Sequence, residues 1–281
     1  MNIRTTQRVL PSDIKLRSEN MMDDYLTTDA LRFLYLLHNK FNHRRRALLT
    51  AREQRKKKFN AGECPQFPTD SEYIKSSRWK VAPVHKDLHT RVLEFVGPVN
   101  HTLNNQHKMD AFVVDLEDAT VPEWKNIITA QKHLRDGIAG LNELSEIPII
   151  GLKPRALTGS DNNILIGDEP ISSSLLDFGL FFFHNASRLL DKGSTPYLLL
   201  PKIESNCEAR WWNQVFTFAQ YHLGIPQGTI KASIAIDNIL AGFQLHEILY
   251  ELRDHAAGMT FEPFNYLQSI IRKFPYSMVL P

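Results

Sequence analysis

The sequence predicts an α/β fold in which a parallel sheet is wrapped by helices, and two observations carry that prediction. First, the stretch Ile230 to Asn238, IKASIAIDN, is an apolar, β-branched run closed by a carboxylate, Asp237, with the helical pattern ILAGFQLHEILYEL directly behind it. This reads as a buried strand that delivers an acid to its C-terminal end. Second, the same grammar of apolar run, polar residue and helix recurs upstream in AFVVDLED, IPIIGLKPR and YLLLPKIES. Repeated strand-then-helix units argue for a parallel sheet with outer helices, and such folds collect their chemistry at the strands' C-terminal ends.

Length and composition permit this. A chain of 281 residues with 43% apolar and 23% charged residues can bury a core, and a net charge of +2 suggests neither a nucleic-acid nor a membrane partner. No run approaches the roughly 18 apolar residues needed to span a bilayer. The N-terminus lacks the apolar core of a secretory signal, and MVLP at the end is no peroxisomal address. Cys64 and Cys207 lie far apart without ligand spacing and fit free thiols in a reducing compartment.

Residues 1 to about 26 are polar and without period, as in a loose arm. From Thr28, a candidate N-cap, Leu31, Leu34, Leu37 and Phe41 follow helical spacing, and a second helix is expected from about Arg44 to Asn60. It carries Arg44, Arg45, Arg46, Arg52, Arg55, Lys56, Lys57 and Lys58, which read as a solvated face rather than a nucleic-acid surface because no aromatic platform accompanies them. Residues 63 to 90 wrap towards the first strand, with Trp79 as a packing anchor. Strands are expected at Leu93–Pro98, Ala111–Glu117, Pro148–Lys153, Tyr197–Ile203, Ile230–Ile236 and, more weakly, Ala256–Phe261. Helices are expected at Ser172–Lys192 and Ser205–Leu223, the latter opened by a Ser205/Glu208 capping box. The division that follows is an arm and helical clasp over residues 1–90 and a sheet domain over 91–281. A closed eight-strand barrel takes roughly 250 residues. About 190 remain from Leu93, so about six strand units of an incomplete TIM (β/α)8-type barrel are expected.

At these blocks the chain resembles the malate synthases of the shorter, A-type form. The resemblance runs from about Leu31 to Ser269 and is carried by VDLEDATVPEW, GDEPISSSLLDFGLFFFHN, YLLLPKIESNCEARWWNQVFTFAQ, GIPQGTIKAS and EILYELRDHAAG. It implies a TIM barrel with an N-terminal helical clasp, and a family member that continues into further barrel units and a C-terminal helical domain. At Val99 to Met109 the family's first barrel helix is shorter and more polar here.

The resemblance also implies a chemistry. Malate synthases condense acetyl-CoA with glyoxylate and hydrolyse the thioester to malate and CoA. That asks for a base, a cation beside the enolate oxygen, and a metal that holds the α-keto acid. The family's metal-binding glutamate, in LIET, falls on Asp237. Its second ligand, the Asp of GLNxGxWDY, falls on Asn265 and so loses a charge. The first arginine of the family's RxRG falls on Lys153, and the second on Arg155, which could partly substitute. Glu117 and Asp118 are expected beside the metal, holding its waters. For Asp115 and Glu204 a functional and a structural reading stay open. The family's basic aspartate lies in a part with no match here. His184, Trp211 and Trp212 read as packing residues, His255 in RDHAAG matches the family block and is expected to orient the sixth strand's loop rather than bind metal, and Gly167 and Gly193 form no phosphate-cradling motif.

The function expected is therefore malate synthase-like, with Mg²⁺ and acetyl-CoA implied, glyoxylate as co-substrate, and activity impaired by the substitutions and by missing barrel units that a partner chain could supply. The alternative is a catalytically inactive relative that serves as a binding or scaffolding module. A citrate-lyase-β-type lyase fits the N-terminal clasp less well. The compartment expected is cytoplasmic or, by resemblance, peroxisomal.

Overall fold

A computed structural model describes residues 11–18, 21–99, 110–140 and 149–275. The elements run β1 (Ile14–Leu16), α1 (Thr28–Asn60), α2 (Glu72–Ser76), a 3₁₀ turn (Lys86–Thr90), β2 (Glu94–Gly97), β3 (Ala111–Asp115), α3 (Trp124–Gly140), β4 (Ile149–Lys153), β5 (Ser160–Ile166) and β6 (Glu169–Ser172). They continue with α4 (Ser173–Asp191), β7 (Tyr197–Leu200), α5 (Asn206–His222), β8 (Lys231–Ile236), α6 (Ile239–Gly242), α7 (Leu245–Glu251), β9 (Ala256–Phe261) and α8 (Pro263–Lys273).

The six apolar runs expected as strands form one curled sheet in the order β2-β3-β4-β7-β8-β9, every neighbouring pair parallel. β3, β4, β7 and β8 are buried along their whole length, which is why they read as unbroken apolar runs rather than as alternation. Phe112, Val114, Ile150, Leu152, Leu198 and Ile234 face the surrounding helices. On the other face Val113, Tyr197, Leu199 and Ala235 pack together. Gly151 in β4 makes room for this inner layer, since a Cβ there would lie 2.7 Å from Tyr197 Cδ1. All six strands end on the same side, and that end carries the polar residues of each run.

Two strands stop earlier than expected, for local reasons. β3 ends at Asp115 because the Asp115 carboxylate accepts the N–H groups of Glu117 and Asp118, each at 2.9 Å, and turns the chain. β7 ends at Leu200, two residues before Lys202 takes a left-handed φ of 54°.

The N-terminal half departs from expectation more. α1 is one helix of 33 residues, not two, capped by Thr27, whose hydroxyl accepts Ala30 N–H at 3.2 Å. The polar stretch that looked like a break is a buried contact. Asn42 donates to Glu169 at 2.9 Å, and Arg45 donates to the carbonyls of Leu157 and Gly159 at 2.5 and 3.1 Å. The basic face is also not simply solvated: Arg44, Arg46 and Lys56 to Lys58 are exposed, whereas Arg45 is buried and Arg52 nearly so. The arm, read as loose, contains β1, which pairs antiparallel with β5, and β5 pairs with β6 through a hairpin at Gly167, φ 62°. This three-stranded sheet covers a second apolar cluster with Tyr25, Leu31, Leu34, Leu176 and Leu180.

α4 is apolar nearly all round because it is enclosed, with α1 pressed close at Gly179, where a Cβ would lie 2.6 Å from Leu34 Cδ2. α5 begins as expected, but the capping box does not form. Ser205 Oγ is buried and has no hydrogen-bond partner among the described residues, and Glu208 instead accepts Glu204 N–H at 2.7 Å and pairs with Arg52. Trp79 anchors as expected, its Nε1 donating to Ile74 O at 3.1 Å and its ring against His246 and Tyr250. Trp211 and Trp212 are buried in the helix layer. The shortened first barrel helix expected at Val99 to Met109 lies almost wholly outside the described residues.

The end of β4 is tied to α4 by one buried ion pair. Arg155 N–H and Nε both donate to Asp177 Oδ2 at 2.9 Å, and Nη2 donates to Oδ1 at 2.7 Å. Asp177→Ala leaves a buried guanidinium without its main partner. It is expected to cost about 3–5 kcal/mol, read as a fall in the midpoint of chemical denaturation. A midpoint within error of the parent chain would show that the pair does not hold β4 to α4.

Candidate functional site

The polar residues that close the strands meet on the C-terminal side of the sheet. Lys153, at the end of β4, is buried, and its Nζ lies 2.8 Å from Asp118 Oδ2, 3.0 Å from Glu262 Oε1 and 3.3 Å from Asp115 Oδ2. Asn265, in the first turn of α8, donates its Nδ2 to Glu262 Oε2 at 2.8 Å and to Asp118 Oδ2 at 3.3 Å. Lys202, just past β7, reaches Asp118 Oδ1 at 3.4 Å and Asp237 Oδ2 at 3.6 Å. Of the residues expected from sequence, Lys153, Asp118, Asp237 and Asn265 are therefore brought together, with Asp115 beside them.

Asp237 closes β8 as expected. Its Oδ2 accepts the N–H of Lys202 at 2.9 Å, while Oδ1 is buried and accepts no hydrogen bond among the described residues. Burial pushes its carboxyl up to about 6, against the opposing pull of the Lys202 N–H and ammonium. Burial also raises the Glu117 carboxyl, even though Ala156 N–H donates to it at 2.8 Å. Burial would raise Asp118 as well, but the hydrogen bond and charge of Lys153 outweigh it and hold Asp118 below the usual carboxylate range. For Lys153 burial favours the neutral amine. The charges of Asp115, Glu262 and Asp118 together with the Asp118 hydrogen bond overcome that, so it stays an ammonium.

Arg155 does not join this group. Its guanidinium is spent on Asp177 and on Asp161, the latter at 3.2 Å, rather than on the carboxylates around Lys153. Glu204 faces α1 and α8, paired with Arg52 and Arg55 at 3.4 Å each and with Lys273, which favours its structural reading. Asp115 caps the β3 turn and also pairs with Lys153 at 3.3 Å. His184 stacks on Tyr25 at 4.1 Å and bonds to its carbonyl, and His255 lies between Asn213 and Gln220. Burial pulls both imidazoles down to about 4, so they pack as neutral rings.

Two site residues were not singled out from sequence, Lys202 and Glu262. Both lie within two residues of a strand's C-terminal end, and that position alone was the available signal. Lys202 carries the one left-handed φ found at a non-glycine residue among the described residues. It is held there by Asp237 on its N–H and by Arg52, which donates to its carbonyl at 2.7 Å. Among the described residues no three His, Cys, Asp or Glu side chains form a group able to hold a metal ion.

Comparison with known proteins places this geometry. Residues 11–73 match the family model "Malate synthase, N-terminal domain", and residues 150–281 match "Malate synthase, TIM barrel domain". The chain is 39% identical over 265 residues to a malate synthase of Myxococcus xanthus, covering 89% of this chain and 49% of that protein. It is 36% identical over 263 residues to malate synthase A of Escherichia coli, covering 88% and 49%, and 35% identical over 282 residues to a glyoxysomal malate synthase of Glycine max, covering 93% and 50%. The chain thus spans about half the length of the curated relatives it matches.

The raised Asp237 carboxyl has a sign that can be checked. Between its ordinary value of 3.8 and about 6 the folded chain binds a proton that the unfolded chain has released, so this group's contribution to stability falls as pH rises through that window. Asp237→Asn can still accept Lys202 N–H but cannot ionise. It is expected to gain stability relative to the parent chain as pH rises from 4 to 6, by at most about 3 kcal/mol. Parallel denaturation curves at pH 4 and pH 7 with an unchanged difference between the two chains would refute the assignment.

Proposed function

Because the chain belongs to the malate synthase family, we propose that its C-terminal face binds glyoxylate as the acceptor of an acetyl-CoA condensation in the glyoxylate cycle. The observation that carries this reading is the convergence of Lys153, Lys202, Asp118, Asp237 and Asn265 at the ends of parallel strands. Lys202 is the group for the glyoxylate carboxylate. Its ammonium is a quarter exposed, and its contacts with Asp118 and Asp237, at 3.4 and 3.6 Å, are long enough to be exchanged for a substrate anion. Lys153 sets the field at the end of β4 and keeps Asp118 ionised. Asp237 fixes the Lys202 backbone through its N–H bond and so aims the Lys202 side chain. No base is assigned among the described residues.

The family implies a divalent metal, which would polarise the carbonyl of an α-keto acid. The residues here do not fit it. Asn265 turns a donor towards the neighbouring carboxylates, Asp118 is engaged by two ammonium groups, and Asp237 alone of the two matched ligand positions keeps a free carboxylate oxygen. No step is therefore routed through a metal.

A second reading has its own support. All the carboxylates around Lys153 compete with substrate for its charge, which suits a relative that binds ligand without turning it over. No helix among the described residues is long and apolar enough to cross a membrane.

The two readings separate in one pair of measurements. Calorimetric titration with glyoxylate is expected to show binding that Lys202→Met weakens about 10- to 100-fold, the range for losing one hydrogen bond to a charged group. CoA release from acetyl-CoA that requires glyoxylate supports the synthase, glyoxylate binding without CoA release supports the binding module, and folded protein that binds no glyoxylate rejects both.

A further inference from the structure

The Lys153 ammonium has three N–H donors, and three carboxylates surround it, two from the end of β3 and one from the end of β9. Asp118 lies at 2.8 Å, Glu262 at 3.0 Å and Asp115 at 3.3 Å. The side chain is only 3% exposed, so water does not compete for these bonds. Asn265 completes the ring as a second donor, giving Nδ2 to Glu262 and Asp118. An amide placed to ligate a cation would offer its oxygen. Here the carboxylates already hold positive partners on their inward oxygens.

We propose that the Lys153 ammonium is the resident cation of this site and takes the place of a divalent metal ion. The proposal deepens the functional reading above and rests on it only for the expectation that a metal belongs at this face. A small hard cation needs about six oxygen ligands at close to 2 Å. To collect them here it would have to strip Asp118, Glu262 and Asp115 from Lys153 and then sit against the displaced ammonium, in a setting where charge repulsion is poorly screened. A lysine tethered to β4 supplies its charge without a binding equilibrium. Glu262 fits the same logic: it brings a carboxylate three residues before Asn265, where the matched family position has lost one, and it directs that charge to the ammonium.

The test is direct binding of Mn²⁺ to the purified full chain, followed by the paramagnetic resonance of free Mn²⁺, with neither glyoxylate nor acetyl-CoA present. The parent chain is expected to show no saturable site up to millimolar Mn²⁺ and a thermal midpoint indifferent to both Mn²⁺ and chelator. Lys153→Met is expected to open the ring and gain one saturable site, at least tenfold tighter than any residual binding by the parent, and adding Asp118→Asn is expected to remove it. One saturable Mn²⁺ in the parent chain, weakened by Asp237→Asn, overturns the proposal, as does a folded Lys153→Met chain that gains no site. Should Lys153→Met fail to fold, the parent-chain titration decides alone. A chain that binds neither glyoxylate nor Mn²⁺ refutes the functional reading and leaves this one standing. A chain that binds glyoxylate only with Mn²⁺ does the reverse.

Discussion

Charges placed at the ends of buried strands must be neutralised by one another, and this constraint shapes both the site and the packing of the N-terminal helix. Removing an ion from water costs several kcal/mol even after relaxation, so a lone carboxylate at such a place would protonate or unfold its surroundings. The C-terminal side of the sheet meets the demand with two connected networks. One centres on Lys153 and Lys202 with Asp115, Asp118, Asp237 and Glu262. The other sets Arg52 and Arg55 of α1 and Lys273 of α8 against Glu204 and Glu208. Arg52 belongs to both, because it also fixes the carbonyl of Lys202. Through Arg52 and Arg55 the long helix is thus a structural counter-ion for the strand-end carboxylates, while Arg45 is buried for a different reason, its bonds to the carbonyls of Leu157 and Gly159.

How far this could be read from sequence follows from range. The four central parallel strands were legible because each is buried on both faces and writes a largely apolar run, the edge strands β2 and β9 less so because they are partly exposed, and α4 and α5 were placed to within a residue or two. The small antiparallel sheet was not. β1 has three residues, and β5, SDNNILI, opens on polar residues and pairs with β1, which lies far away in sequence. The split expected in α1 failed for the same reason, since Asn42 and Arg45 look like a solvated gap until Glu169 and the carbonyls of Leu157 and Gly159 are beside them. The capping box at Ser205 was a correct local pattern that lost to a tertiary one, in which Arg52 claims Glu208.

The site was legible by position more than by role. Strand-end logic and the family blocks located Lys153, Asp237, Asn265, Glu117 and Asp118. Its match to the second arginine of the family motif made Arg155 an attractive substitute cation, yet its fork is taken up by Asp177 and Asp161. Lys202 and Glu262 belong to blocks in which nothing distinguishes them except the residue's place after a strand. What the sequence could not show was that Glu262 and Asn265 act together on Lys153.

The replacements at this face make one coherent change when taken as geometry. Lysine in place of a guanidinium gives a compact charge that several carboxylates can surround, where a planar fork would have bound one of them in a bidentate way. Aspartate at position 237, one methylene shorter than glutamate, stays back at the strand end and bonds the backbone of Lys202 instead of reaching into the ring around Lys153. An amide at position 265 is able to donate into that ring, which a carboxylate could not do. Each change moves positive charge inward at β4 and leaves the ammonium of Lys202, at the end of β7, as the partly exposed cation of the cluster. On the proposed reading, an anionic substrate approaching this face meets Lys202 first, the partly exposed ammonium at the end of β7.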